Sequence, residues 1–134
     1  MVGILIVTHG SFGSELVKSV ELIIGRQQNI VTLALKQDDE IRDLADSASA
    51  AIEKLDDGNG VLAFVDLFGG SPCNTLGALL KRKNLECITG VNMAMLIEAS
   101  DSRQSMNLAE LKESCMQVGR TAIFDLRSEL SLRQ

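Results

Sequence analysis

The chain has 134 residues, enough for one domain with a substantial core. Its composition is 46% hydrophobic and 23% charged, which excludes a disordered or fibrous protein. A formal charge of −5, with 3% aromatic residues and no Trp or Tyr, argues against a nucleic-acid partner, because phosphate backbones attract basic surfaces and single strands stack on aromatic rings.

The first predicted elements follow one another closely. Residues 3–8 are a continuous apolar, β-branched run, typical of a strand buried on both faces of a parallel sheet. Apolar residues return at helical spacing over 12–24, and Gly25 provides a helix stop. A second strand is predicted over 30–35.

The rest of the chain repeats this alternation. A helix capped by Asp38 or Asp39 runs to Leu55, and Ser71 as cap, with Pro72 as first helical residue, starts another. The other predicted elements are strands over 61–65 and 85–91, helices over 92–99 and 107–119, and an edge strand over 121–126. Strands separated by helices predict an α/β domain with a mostly parallel central sheet and helices on both faces.

Two polar residues stand where predicted strands end. His9, the only histidine, follows the first strand, and Asp66 follows the third. Reacting groups collect at the carboxyl ends of parallel strands, so the sheet would bring the two side chains together. A carboxylate beside an imidazole fixes its tautomer and stabilises a positive ring. Taken singly, each has a plain structural explanation, as a surface histidine and a turn aspartate, but the pair predicts a nucleophilic imidazole.

Two small-residue loops lead from these strands into helices. Gly69-Gly70-Ser71 follows the third strand, and Gly10 follows the first. Glycine lets a backbone approach an anion closely, and a helix N-terminus offers free amides and a favourable dipole. A Gly-Gly turn alone is equally common in ordinary tight turns. Together with the imidazole, the loops predict a cradle for a phosphoryl group.

Other site chemistries lack the residues that they need. Cys73, Cys87 and Cys115 have no C-x-x-C spacing, so we expect free thiols in a reducing compartment and no metal site. A hydrolase using Ser71 or Cys73 would need a general base, but His9 is the only imidazole, and the chain has neither a G-x-S-x-G motif nor a known cysteine-protease context. With no basic leader and no apolar run of roughly 20 residues, we expect a cytoplasmic protein without a cofactor that meets the membrane only through partners.

Three segments resemble those of a known family. They are residues 7–10 (VTHG), 65–74 (VDLFGGSPCN) and 90–96 (GVNMAML). They are similar, in order and spacing, to segments of the mannose-family IIA domain of the bacterial phosphoenolpyruvate-dependent sugar phosphotransferase system. The similarity extends to about Gly119, with one departure at Cys73, where the family often has Phe.

The resemblance implies a function and the residues that perform it. His9 would accept a phosphoryl group from phospho-HPr, Asp66 would orient the ring, and a IIB component would receive the group for use by membrane IIC and IID subunits. The phosphoryl-binding residues would be Thr8, Gly10, Gly69, Gly70 and Ser71. The chain would thus be a phosphotransferase with a phosphohistidine intermediate.

The resemblance also implies an assembly. It predicts a single domain over residues 1–134 and a homodimer with an exchanged C-terminal strand, for which residues 121–126 could serve. Two questions stay open. The sugar could be mannose, fructose, sorbose or an amino sugar, and the same site would serve a regulatory phosphohistidine module with no role in transport.

Overall fold

Parallel strand pairing is the framework of the computed structural model, which describes residues 1–132. Within them lie the strands β1 (Gly3–His9), β2 (Ile30–Leu35), β3 (Val61–Val65) and β4 (Leu85–Thr89). The helices are α1 (Phe12–Ile24), α2 (Ile41–Leu55), α3 (Ser71–Leu79), α4 (Met93–Ser102), α5 (Leu108–Thr121) and α6 (Leu126–Leu132). The strand order is β2-β1-β3-β4, and every pair is parallel. The predicted α/β class is confirmed, with a sheet that is parallel throughout rather than mostly parallel.

The two central strands divide the core into two layers. Successive side chains of a strand point to opposite faces of the sheet. On one face, Ile4, Ile6 and Phe64 pack against α1, α4 and α5. On the other, Leu5 and Val7 pack against α2 and α3. Because helices cover both faces, β1 and β3 are buried along nearly their whole length, which explains their continuous apolar sequences.

The strand order places a crevice between β1 and β3. From β1 the chain crosses to β2 on one side, and it returns to add β3 on the other. In parallel sheets such a reversal separates the loops that leave the two neighbouring strands and opens a site at their carboxyl ends. His9 is the last residue of β1, and Asp66 follows the last residue of β3.

The predicted edge strand over residues 121–126 is wrong within the structure described. Helix α5 continues to Thr121, and α6 begins at Leu126. The side chain of Asp125 accepts hydrogen bonds from the Arg127 backbone N–H at 3.2 Å and from the Ser128 hydroxyl at 2.7 Å. Asp125 therefore caps a helix, which competes with extended backbone at this point.

Two predicted helix starts are displaced by local hydrogen bonding. Asp39 accepts a hydrogen bond from the Lys36 backbone N–H at 2.7 Å, so it closes a turn, and α2 begins two residues later behind Glu40. Gly70 is the N-cap of α3, which makes Ser71 the first helical residue. None of the helices within residues 1–132 is long and apolar enough to cross a membrane.

Candidate functional site

One carboxylate oxygen holds both the ring and the backbone of His9. Asp66 Oδ2 lies 2.8 Å from His9 Nδ1 and accepts a hydrogen bond from the His9 backbone N–H at 2.9 Å. The His9 side chain is 50% exposed, whereas that of Asp66 is 14% exposed. The structure thus brings together the two residues that the sequence places at neighbouring strand ends.

The charge of Asp66 determines which nitrogen of the His9 ring carries the proton. Partial burial by itself would raise the pKa of the Asp66 carboxyl, but hydrogen bonds from the His9 backbone and ring outweigh it and hold the pKa below its ordinary value. An ionised carboxylate accepts only, so Nδ1 of the neutral imidazole carries the proton. The second ring nitrogen, Nε2, is then left with a free lone pair on the edge of the ring away from Asp66.

The start of α3 lies against that edge of the ring. A Cβ atom added to Gly70 would lie 2.8 Å from His9 Cε1 and 3.4 Å from Nε2, so only a glycine allows the backbone so close. The first helical bond runs from the Asn74 N–H to the Gly70 carbonyl, and the preceding amides have no partner within the helix. Gly69 has φ +90°, a conformation that glycine adopts readily. Of these loop residues, Gly70 therefore borders the His9 ring at Cε1 and Nε2.

The other two predicted phosphoryl-binding residues are placed differently. Gly10 continues from His9 with φ +57°, and its N–H donates to the Leu35 carbonyl at 2.9 Å. Thr8 is fully buried. Its hydroxyl donates to the Gly10 carbonyl at 3.2 Å and accepts from the Gly13 N–H at 3.0 Å. Thr8 thus lies beneath the loop that the histidine begins.

An exposed apolar rim around the site is not among the residues predicted from sequence. Leu67 and Phe68 follow Asp66 and are 60% and 82% exposed, and Phe12 at the start of α1 is 47% exposed. Their positions in loops next to His9, outside any helical or strand periodicity, are the signal that could have identified them. Large apolar side chains around a reactive group indicate a surface that another protein covers.

Within residues 1–132, no group of three or more His, Cys, Asp or Glu side chains is arranged to hold a metal ion. The three cysteines are free, Cys115 being buried and the other two half-buried. Burial raises the pKa of the Cys87 and Cys115 thiols to about 12. A thiol so rarely ionised is a poor nucleophile, so Cys87 and Cys115 are not candidates for the reactive group of this site.

Comparison with protein families identifies the group to which this geometry belongs. The EIIA-man family model, described as the PTS system fructose IIA component, matches residues 3–116. The chain belongs to this family. It is a mannose-family IIA component of the sugar phosphotransferase system, as the sequence resemblance predicts.

Individual relatives of this IIA component cover most of its length. The mannose-specific EIIAB component of Escherichia coli K12 is 31% identical over 130 residues, which are 96% of this chain and 40% of that protein. The fructose-specific EIIA component of Bacillus subtilis is 27% identical over 112 residues, 83% of this chain and 77% of that one. The IIA component thus spans less than half the length of its Escherichia coli relative.

Solved structures agree with the fold. The EIIA component from Streptococcus agalactiae superposes with a TM-score of 0.88 at 27% identity, covering 96% of this chain and 99% of that one. The mannose/sorbose-specific IIA subunit from Enterococcus faecalis gives a TM-score of 0.82 at 27% identity, with 92% and 93% covered. The four-stranded arrangement of this IIA component is therefore shared with crystallised members of phosphotransferase systems.

Proposed function

We propose that His9 accepts a phosphoryl group on Nε2 from phosphorylated HPr and passes it to a IIB component. The observation that carries this proposal is the contact of His9 Nδ1 with Asp66 Oδ2 at 2.8 Å, which leaves Nε2 unprotonated on a side chain that is half-exposed. A nucleophile needs the lone pair of Nε2. The fixed Asp66 carboxylate selects the tautomer that provides this lone pair, with no change of conformation.

The transfer step conserves atoms and charge. The Nε2 lone pair of His9 attacks the phosphorus of the donor phosphohistidine, and the donor N–P bond breaks as the new N–P bond forms. The His9 ring becomes positive because Nδ1 keeps its proton, and the Asp66 carboxylate stabilises that charge. Transfer to IIB repeats the step in the opposite sense, with His9 as the leaving group.

The start of α3 provides the counter-charge for the phosphoryl oxygens. Backbone amides and the positive end of a helix dipole favour an anion without needing a basic side chain. Support comes from the closeness of Gly70 to the ring, since its backbone borders both Cε1 and Nε2. In this proposal Gly69, Gly70 and Ser71 bind the phosphoryl group, and the rim of Phe12, Leu67 and Phe68 contacts the protein partners.

The decisive experiment uses the phosphorylation cascade itself. The chain is incubated with phosphoenolpyruvate, enzyme I and HPr, and the intact mass is measured for wild type and His9→Ala. We expect an acid-labile phosphoryl adduct on the wild type and none on the variant. A wild type that takes no phosphate from an active HPr would refute the carrier proposal.

Adding candidate IIB proteins then separates transport from regulation. Loss of the adduct to a IIB component supports the transport role. Stable phosphorylation in the presence of every cognate IIB protein would favour the regulatory module, which has the same site. The sugar depends on the membrane subunits, so mannose, fructose, sorbose and amino sugars are compared by choice of IIB partner.

The assembly is also part of the proposal. We propose that residues 1–134 are one domain working in the cytoplasm, where the three cysteines would stay reduced. We propose further that two copies form a homodimer through the C-terminal segment. Support comes from Ile123, which is 82% exposed and lines a groove with Ile88 of the edge strand β4, and from its neighbour in sequence, Phe124, which is 66% exposed.

A further inference from the structure

The buried hydroxyl of Thr8 joins the strand, the loop and the helix around His9. Thr8 is fully buried, although it directly precedes His9 in strand β1. The hydroxyl donates to the Gly10 carbonyl at 3.2 Å. It also accepts from the Gly13 N–H at 3.0 Å, so one oxygen ties together two backbone groups on either side of the loop.

Thr8 takes over a task usually performed by the N-cap residue. The N-cap of α1 is Ser11, whose side chain makes no capping hydrogen bond. The free amide of Gly13, in the first turn of α1, is satisfied by Thr8 from the neighbouring strand instead. A Cβ at Gly13 would lie 2.9 Å from Ile6 Cγ2 and 3.3 Å from Thr8 Oγ1, so glycine is what lets α1 approach this closely.

The pleat of β1 separates Thr8 from the phosphoryl site. Alternate residues of a strand point to opposite faces. Thr8 follows Ile6 toward the face covered by α1, whereas His9 points to the opposite face and meets Gly70 at the start of α3. The Thr8 hydroxyl, with two backbone partners already, lies on the wrong side of the sheet to reach Nε2.

We infer that Thr8 is a positioning residue rather than a phosphoryl ligand. By fixing the Gly10 carbonyl and anchoring α1, its hydroxyl sets the path of the loop and therefore the direction of the His9 ring toward Asp66 and Gly70. This inference builds on the proposed function but concerns the resting geometry, which is measured without any phosphoryl donor.

The kinetic test compares isosteric variants. Thr8→Val removes the hydroxyl and keeps the shape, and we expect the rate constant for transfer from phospho-HPr to fall on the order of 10–100-fold, because small misplacements of a reacting group cost this much. The KM for HPr should not change, since Thr8 is inaccessible. Thr8→Ser should restore the rate to within a few-fold. The thiol of Thr8→Cys is a weak donor and acceptor, so the transfer rate of this variant should lie between those of Thr8→Ser and Thr8→Val. Thr8→Cys replaces Thr8→Val if the valine variant does not fold.

Thr75→Val is the matched control. Thr75 is also a buried threonine, 6% exposed, and within residues 1–132 its hydroxyl finds no hydrogen-bond partner. We expect wild-type transfer from this variant. A folded Thr8→Val with wild-type kinetics, or a Thr8→Ser variant as slow as Thr8→Val, would overturn the inference.

The single imidazole of the chain allows a second measurement by ¹⁵N NMR. In the wild type we expect the resonances of one tautomer, with Nδ1 protonated. In Thr8→Val we expect a mixture of tautomers, because the ring no longer faces Asp66 uniquely. Unchanged imidazole resonances would overturn the positioning role even if the proposed carrier function holds, and a mixture would support it even if phosphorylation by HPr fails.

Discussion

A single oxygen of Asp66 binds two groups of the same histidine. Because Oδ2 accepts from both the backbone N–H and Nδ1 of His9, the ring cannot turn away without losing a hydrogen bond. The other oxygen, Oδ1, is buried and has no hydrogen-bond partner within residues 1–132. The hydrogen bonds to the carboxylate outweigh this burial, because the pKa of Asp66 stays below its ordinary value and folding favours the charged form.

Replacing Asp66 by asparagine should separate charge from shape. The amide of Asp66→Asn keeps an oxygen for the His9 backbone N–H but removes the charge that stabilises the phosphorylated ring. We expect an intact fold by circular dichroism and a transfer rate lowered on the order of 100-fold, as for other single electrostatic groups of an active site. Rapid-quench kinetics with phospho-HPr measure the rate, and unchanged kinetics would remove Asp66 from the mechanism.

The same pair makes stability depend on acidity. The pKa of Asp66 is lowered in the folded protein, so its contribution is complete above the unfolded value, roughly 3.9, and is lost as pH falls through the folded value. We expect the midpoint of urea unfolding to decline more gently below pH 4 in Asp66→Asn than in wild type. Equal declines of the urea midpoint in wild type and Asp66→Asn would contradict this prediction, because they would mean that Asp66 has the same pKa in the folded and the unfolded chain.

At the scale of single residues, the sequence predicts which side chains meet better than it predicts where a side chain points. The ends of two apolar strands suffice to predict that His9 and Asp66 meet, because parallel strands end at a common edge. The direction of Thr8 is not predicted by its place beside the histidine in a motif. It depends on the pleat and on the close approach of Gly13, which is a property of the packed helix.

Among the elements, α3 offers a direct test through two glycines. Gly70→Ala puts a methyl group where it would meet His9 Cε1 at 2.8 Å, so the ring or the helix start must move. We expect transfer from phospho-HPr to slow by at least 10-fold, an order-of-magnitude expectation for a displaced nucleophile. Gly77→Ala in the same helix meets nothing within 4 Å.

The Gly77→Ala control should leave transfer unchanged and raise the free energy of unfolding by up to about 1 kcal/mol, since alanine is the better helix former. Urea titration measures the stability of both variants. Equal transfer rates for the Gly70 and Gly77 variants would contradict the proposed contact between the ring and the start of α3.

The elements predicted from periodicity are largely those observed, and the exceptions have local causes. Long apolar patterns predict β1, α1, β2 and β3 within a residue or so. For β1 and β3 the reason is burial on both faces of the sheet, which leaves little freedom in composition. The segment after Thr121 alternates in polarity like an edge strand. The side chain of Asp125 caps a helix in this segment through short-range hydrogen bonds, so a helix starts here instead of a strand. The hydrophobic period of the sequence carries no information about such a cap.

For the whole molecule, the free edge of β4 leads to a prediction of oligomeric state. A groove of about 560 Å³ runs beside this edge, lined among others by Ile88, Met95, Met116 and Ile123. The neighbouring Phe124 and Leu126 are 66% and 69% exposed. Apolar surface of this kind is normally covered, and we expect the mass of a dimer by light scattering.

A pair of matched variants tests where two copies meet. Phe124→Asp places a charge in the proposed contact and should give a monomer. Leu22→Asp introduces the same charge at an apolar residue that is 89% exposed on α1, and it should leave the dimer intact. A monomeric wild type, or dissociation by the Leu22 variant alone, would contradict the proposed homodimer.

The parallel sheet also determines the stage of synthesis and folding at which the His9–Asp66 site can form. His9 and Asp66 are 57 positions apart, and parallel strands are joined only by long crossovers, which form slowly because distant segments must meet. During synthesis the histidine emerges early, while its carboxylate arrives only after two helices and two further strands have been made. A nascent or truncated chain without β3 therefore displays the imidazole without the Asp66 carboxylate. In the proposed mechanism, phosphorylation of His9 would thus require that the two central strands have already paired.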